Sequence, residues 1–400
     1  MKHKPLQRII DKGHKASLLT AAFILCAFVA SSQFTARFLV SGIPATHVPD
    51  SLFVAGSFNG WNAAKNGTLM SKQGDTATIV LTGLPGGKYE FKVTRGSWQS
   101  VECHANGNDA GNRLFNLSAD TVMQISVAAW KDDFAAFAKK HTASANVRII
   151  DTAFAMPQLE RTRRIWLYLP PGYANNRKRY PVLYMHDGQN IFDEYTSSNG
   201  EWKVDECIDS LVKIGKPGCI VVGIDNGPKR LNEYNPYDFA EFGKGEGNEY
   251  VDFIVKNLKP FIDRRYRTLA GPQNTMIAGS SMGGLISYYA MLKYPEVFGK
   301  GGIFSPAFWT AEKIRDMTDS CGKKLKGKLF FYIGEKEGEN YSSDMKEVTD
   351  RLGTISSALI YAVTDSQGSH NEEAWRKWFP EFYNWVLAKG FNNVISVEMD

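Results

Sequence analysis

From Arg148 onward the chain alternates compact apolar runs with helical segments, and no other feature restricts its fold as much. The runs occupy 165–169, 180–185, 219–224, 275–279 and 328–333, and helical patterns fill 203–213, 247–265, 283–294 and 344–352. Strands that are apolar on both faces and separated by helices predict a parallel sheet covered on both sides, an α/β domain. No internal repeat or low-complexity tract interrupts it.

Gly279-Ser280-Ser281-Met282-Gly283-Gly284 lies where one of these strands passes into a helix. This is G-x-S-x-G with Ser281 at its centre. A sharp strand-to-helix bend pushes the serine oxygen out at the end of the sheet. The flanking glycines let the backbone fold there without a Cβ clash. The helix start also aims N–H groups at any oxyanion that develops. Ser281 is therefore the expected nucleophile.

An elbow serine needs a base, and His370 is the only histidine after it. It lies in a loop between a strand at 358–363 and a helical pattern at 375–387. The acid is expected between serine and histidine in chain order. The strand 329–333 ends in Gly334-Glu335-Lys336-Glu337-Gly338-Glu339. Glu337 is the preferred acid, with Glu335 next and Asp344 among the remainder. His186-Asp187-Gly188-Gln189-Asn190 follows another strand directly. The oxyanion donors are expected to be the N–H of Met282 and that of Gly188 or Gln189, with His186 structural. Cysteine spacing suggests no zinc site, and C-x-x-C is absent.

Residues 37–130 have a different texture. Short β-rich runs near 37–40, 51–55, 76–81 and 89–93 are separated by Pro, Gly, Asn and Asp clusters. No helical pattern intervenes, so a small all-β sandwich is predicted. Residues 129–145 read as a connector, with the linker placed at 131–147 and the second domain at 148–390. At the start of the chain, five basic residues and one acidic residue precede or flank the apolar run 18–30. Thirteen residues rise only about 20 Å as a helix, short of a bilayer core of about 30 Å. Residues 1–32 are read as a signal peptide, cleaved near Ala30-Ser31-Ser32 or Thr35-Ala36. An uncleaved anchor and lipid attachment at Cys26 are the alternatives. A periplasmic or secreted protein without a stable membrane anchor follows. Cys103, Cys207, Cys219 and Cys321 then stand where disulfides are permitted, with Cys207 and Cys219 nearest in sequence. The remaining chain carries 42 basic against 41 acidic residues. That near-neutral balance argues against nucleic-acid binding by phosphate neutralisation.

With these motifs in view, residues 148–390 resemble the esterase D and feruloyl or acetyl-xylan esterase family of α/β-hydrolases. Trp202, Arg230-Leu231-Asn232-Glu233-Tyr234-Asn235-Pro236 and Ser305-Pro306-Ala307-Phe308-Trp309 add to the likeness. The family places its acid three residues after the strand-end glycine, which again selects Glu337. Residues 37–130 resemble the glycogen- or starch-binding immunoglobulin-like modules of AMP-activated protein kinase β subunits and branching enzymes. The residues are Val54-Ala55-Gly56-Ser57-Phe58-Asn59-Gly60-Trp61-Asn62, Tyr89-Glu90-Phe91-Lys92 and Gly96-Ser97-Trp98. The resemblance implies sugar contacts at Trp61, Lys92 and Trp98, or else a structural role for the module.

Together these features predict a metal-independent serine esterase with an esterified oligo- or polysaccharide as substrate, feruloyl or acetyl groups on xylan above all. Phe239, Phe242, Phe308 and Trp309 are candidates to stack an aromatic acyl group. A second reading is a periplasmic siderophore trilactone esterase, for which Lys229 and Arg230 would line the pocket. A third is a glycan-binding protein without catalysis.

Overall fold

The computed structural model describes residues 33–43, 47, 50–64, 66–134, 140–198, 200–388 and 397–399. The expected leader at 1–32 lies outside them. Contacts divide the chain into two compact units, with the boundary between Phe134 and Ala135. No described helix is long and apolar enough to cross a membrane.

The first unit is all β. Its strands are β1 (Gln33–Ser41), β2 (Phe53–Gly56), β3 (Ser71–Gln73), β4 (Thr76–Pro85), β5 (Gly87–Thr94), β6 (Glu102–Cys103), β7 (Arg113–Leu117), β8 (Thr121–Ser126) and β9 (Ala129–Trp130). One sheet has the order β3-β4-β1-β8, a second β2-β5-β7, and β6 pairs with β9. In β1 the residues Ala36, Phe38 and Val40 are buried while Arg37 is exposed, the period-2 pattern of a strand with one wet face. Phe38, Val54, Phe91, Val93, Leu117 and Trp130 share one apolar core. Trp130 is fully buried there, so Ala129 and Trp130 belong to this unit rather than to a connector. A two-residue ladder is too short to leave a periodic signature, which is why the sequence hides it.

The second unit carries β10 (Val147–Met156), β11 (Arg161–Tyr168), β12 (Val182–His186), β13 (Ile220–Ile224), β14 (Thr275–Ser280), β15 (Lys300–Phe304), β16 (Lys328–Gly334), β17 (Leu359–Asp365) and β18 (Val397–Met399). Its helices are α1 (Val204–Lys213), α2 (Arg230–Glu233), α3 (Gly247–Phe253), α4 (Lys259–Arg265), α5 (Met282–Lys293), α6 (Ile314–Cys321), α7 (Glu339–Ile355) and α8 (Glu372–Leu387). Sheet order is β10-β11-β13-β12-β14-β15-β16-β17-β18. The sheet is not wholly parallel as the apolar runs suggest: β10 and β11 pair antiparallel, and β11 pairs antiparallel with β13. β10 went unpredicted because two register irregularities break its alternation.

Successive residues of the central strands serve opposite cores. Val182 and Tyr184 of β12 join one cluster with Leu285 and Ile286 of α5. Leu183 and Met185 join the other with Trp375, Trp378 and Phe382 of α8. Covering both faces in this way holds the parallel strands rigid, so groups at their C-terminal ends are held in place. Cys103, Cys207, Cys219 and Cys321 are all free thiols, and no disulfide joins the Cys207–Cys219 pair. Burial pushes the Cys207 and Cys219 thiols up to about 12, which keeps both protonated and unreactive.

Candidate active site

Ser281 stands between β14 and α5 with φ 58° and ψ −121°. A non-glycine residue in this region is strained by on the order of 1–3 kcal/mol. The strain is held by hydrogen bonds at 2.9 Å from Ser281 N–H to the Phe304 carbonyl and 3.1 Å from Ala307 N–H to the Ser281 carbonyl. Glycine is required at 279, where an added Cβ would sit 2.9 Å from the Gly283 carbonyl carbon and 3.0 Å from His186 Cδ2. The serine itself is half-buried, not sealed.

β14, β16 and β17 run parallel. The residues that follow them, Ser281, Glu337 and His370, therefore emerge at one edge of the sheet. Glu337 closes a single helical turn after β16 and its side chain is completely buried. Its carboxylate accepts from His370 Nδ1 at 2.6 Å, from Ser305 Oγ at 2.6 Å and from Gly334 N–H at 2.9 Å. Three donors supply the solvation that a buried carboxylate otherwise lacks. Glu335, by contrast, is exposed. The histidine loop is pressed against the acid's turn: a Cβ on Gly334 would fall 2.3 Å from the Gly368 carbonyl carbon, and Lys336 N–H donates to the Gly368 carbonyl at 3.1 Å. With Nδ1–H donated to Glu337, the acceptor nitrogen of a neutral His370 ring is Nε2.

Two supporting residues escaped sequence reasoning. Trp375 Nε1–H donates to Ser305 Oγ at 2.8 Å, and Ser305 in turn donates to Glu337. Ser305 has a positive φ of 43° and is fully buried. In the sequence it figured only in the family-like Ser305-Pro306-Ala307-Phe308-Trp309, with no role assigned.

Met282 opens α5, so its N–H lies in the first turn, where no acceptor exists within the helix. Gly188 and Gln189 form a one-turn helix after β12. That turn is clamped by residues the sequence did not single out for this purpose. Asp187, at φ 54°, accepts from Arg230 at 2.7 and 2.8 Å and from Asn226 Nδ2 at 2.6 Å. Gln189 Oε1 accepts from Asn226 N–H at 3.1 Å. These bonds fix the backbone of the turn that carries Gly188 and Gln189. His186 lies behind the elbow with Nδ1 2.9 Å from Tyr250 OH. Burial drives its pKa down to about 3, so it is neutral at working pH and structural in position.

Arg230 is neutralised by Asp187 and lies over Tyr234 at 5.1 Å. Lys229 instead lines a separate cleft of about 660 Å³ together with Pro157, Arg161, Arg163 and Glu233. Neither presents a free cation beside Ser281 in the way a polyanionic substrate would need. Phe308 is fully buried against Tyr288, so it packs the core and stacks no acyl group. Phe239, Phe242 and Trp309 form an aromatic group with Tyr341, whose ring centroid is 5.9 Å from that of His370. In the first unit, the Trp61 and Trp98 rings come within 6.2 Å of each other and Trp98 is 42% exposed. Lys92 is half-buried on β5, where burial lowers its pKa and Asp109 and Glu102 counteract.

The chain is similar to known proteins over part of its length. A protein of Bacillus subtilis called uncharacterized protein YbbA is 30% identical over 205 residues, 49% of this chain and 78% of the relative. An endo-1,4-beta-xylanase/feruloyl esterase of Xylanibacter ruminicola is 27% identical over 275 residues, 68% of this chain and 35% of the relative. An iron(III) enterobactin esterase of Dickeya dadantii is 29% identical over 168 residues, 42% of this chain and 34% of the relative. The chain thus spans about a third of the two relatives named as esterases. Residues 157–385, more than half of the chain, match the family described as Esterase: Putative esterase, and the chain belongs to that family.

Proposed function

We propose that the protein is a serine carboxylic ester hydrolase that removes feruloyl or acetyl groups from plant cell-wall polysaccharide. The observation that carries this reading is the buried Glu337 carboxylate 2.6 Å from His370 Nδ1, at the same sheet edge as the strained Ser281. Ser281 Oγ attacks the ester carbonyl as His370 Nε2 takes its proton, and Glu337 stabilises the imidazolium. The N–H groups of Met282 and of Gly188 or Gln189 hold the tetrahedral oxyanion. His370 then protonates the leaving sugar alcohol, and water releases the acid by the same steps in reverse. The catalytic unit is read as an α/β-hydrolase, and the first unit as an immunoglobulin-like module with a structural or substrate-orienting role or a glycan-binding one. Residues 1–32 are read as the export signal of a periplasmic or secreted enzyme.

The aromatic group beside His370 favours an aromatic acyl group. Trp309 Nε1 is buried without a hydrogen-bond partner among the described residues, and a shift of the half-buried ring on binding would bring it to the phenolic or methoxy oxygen of a feruloyl group. Trp309→Phe keeps the ring and removes the donor. It is expected to lower kcat/KM for methyl ferulate by about 10-fold or more and to leave 4-nitrophenyl acetate hydrolysis nearly unchanged. Equal losses on both esters would remove Trp309 from the acyl site.

The relative named iron(III) enterobactin esterase supports a second reading, a siderophore trilactone esterase. Hydrolysis of a ferric catecholate trilactone in preference to methyl ferulate would establish it over the first. For the N-terminal unit, the Trp61–Trp98 pair offers two aromatic faces to the C–H face of a sugar. Trp98→Ala is expected to weaken retardation by soluble glucan or xylan in native gels by about tenfold. Unchanged mobility of wild type in every polysaccharide would leave this unit a structural role.

A further inference from the structure

Away from Ser281, Glu201, Asp205 and Glu206 bring one carboxylate oxygen each within 4.8 Å of one another. Glu201 is 2% exposed, Asp205 is fully buried and Glu206 is half-buried. One oxygen of each of the first two is accounted for. Thr142 Oγ1 donates to Glu201 Oε2 at 3.0 Å, and Ser144 N–H donates to Asp205 Oδ2 at 2.7 Å. Among the described residues, the other oxygens, Glu201 Oε1 and Asp205 Oδ1, are buried with no hydrogen-bond partner, as is Glu206 Oε2. Neighbouring Lys203 points to solvent, and none of the three forms an ion pair among the described residues. Ionised carboxylates offer only acceptors, so three of them facing each other away from water need a cation or protons.

We propose that Glu201, Asp205 and Glu206 bind one calcium ion. Two oxygens each about 2.4 Å from a common ion can be at most about 4.8 Å apart, and all three pairs meet that limit. The donor set is all oxygen and lacks the histidine or thiolate that zinc or copper favours. The ion would compensate a formal charge that the chain leaves uncompensated. Burial raises the pKa of all three, pushing Glu201 up to about 7, and Asp205 adds to the rise in Glu206. The site is structural in position. It ties α1 to the extended segment at 142–144 and fixes Glu201 next to Trp202. Trp202 stacks on Trp375 at 5.8 Å, and Trp375 donates to the Ser305 that holds Glu337.

The test uses the full chain after chelation and titration with CaCl2, read by calorimetry and by Tm, and so does not depend on the esterase reading. One-site saturable binding is expected, with Tm rising by on the order of 5 °C at a hundredfold excess over Kd. Asp205→Asn and Glu206→Gln should each weaken binding by about tenfold or more. Glu206 is half-buried, so its variant serves if Asp205→Asn does not fold. The competing outcome is proton sharing. Proton sharing alone would give no saturable calcium heat and no rise of Tm with calcium. No binding heat or a Tm indifferent to calcium would overturn the proposal. So would undiminished binding in Glu206→Gln.

Discussion

Ser281→Ala is expected to lower turnover of 4-nitrophenyl acetate and methyl ferulate by about 10⁴-fold or more, down to what binding and the oxyanion donors alone provide. The size follows from chemistry. Without Oγ no acyl-enzyme forms, and the remaining path is direct attack by water. Stability should move by only about 0.5 kcal/mol, because alanine keeps the Cβ and the hydrogen bonds from Ser281 N–H and to its carbonyl are made by backbone. Ser281→Gly is the informative companion. It relieves the positive φ of 58° and should be equally inactive yet more stable than Ser281→Ala. Chemical denaturation alongside the esterase assay separates the two effects. Retained turnover in Ser281→Ala would end the assignment of the nucleophile.

The second large effect is expected at Glu337. Glutamine there keeps the shape and an acceptor for Ser305 and Gly334, so folding should survive. Its amide presents N–H to His370 Nδ1, and two donors cannot share that contact. The imidazole must then place its proton on Nε2, the wrong tautomer for accepting one from Ser281. A fall in kcat of about 10³–10⁴-fold is expected, with KM little changed. Glu335→Gln is the control: its side chain is exposed, and turnover should stay within about twofold of wild type. Comparable losses in the two variants would mean that neither carboxylate acts through the histidine. The two assays also separate this set from a glycan-binding protein without catalysis, which would show no turnover to lose.

How far the site could be read in advance differs from residue to residue. Ser281 was legible because its signal is local: glycines at fixed offsets, a strand before and a helix after. His370 was legible by elimination, as the only histidine beyond the elbow. Glu337 and Glu335 could be ranked but not separated physically, since both lie in one acidic run past the same strand. Burial separates them, because one helical turn sends the side chain of 337 inward and leaves 335 in solvent. Ser305 and Trp375 were not legible as supports of the acid. They are seventy residues apart, and neither carries a spacing that advertises the contact. The same holds for Asn226 and Arg230, which clamp the turn at Gly188 through Asp187.

By itself, the sequence determined the alternation of apolar runs and helices, the tight bend at Ser281, and the division of the chain into an all-β unit and an α/β unit. Each of these follows from interactions within a few residues, where periodicity and glycine placement act directly. Only the tertiary structure decided the antiparallel start of the large sheet, the free state of the four described cysteines, the choice of buried glutamate and the donors that hold it. These depend on which side chains remote in sequence are packed together away from water. Burial there fixes the partner each polar group must find, and no local pattern records that pairing.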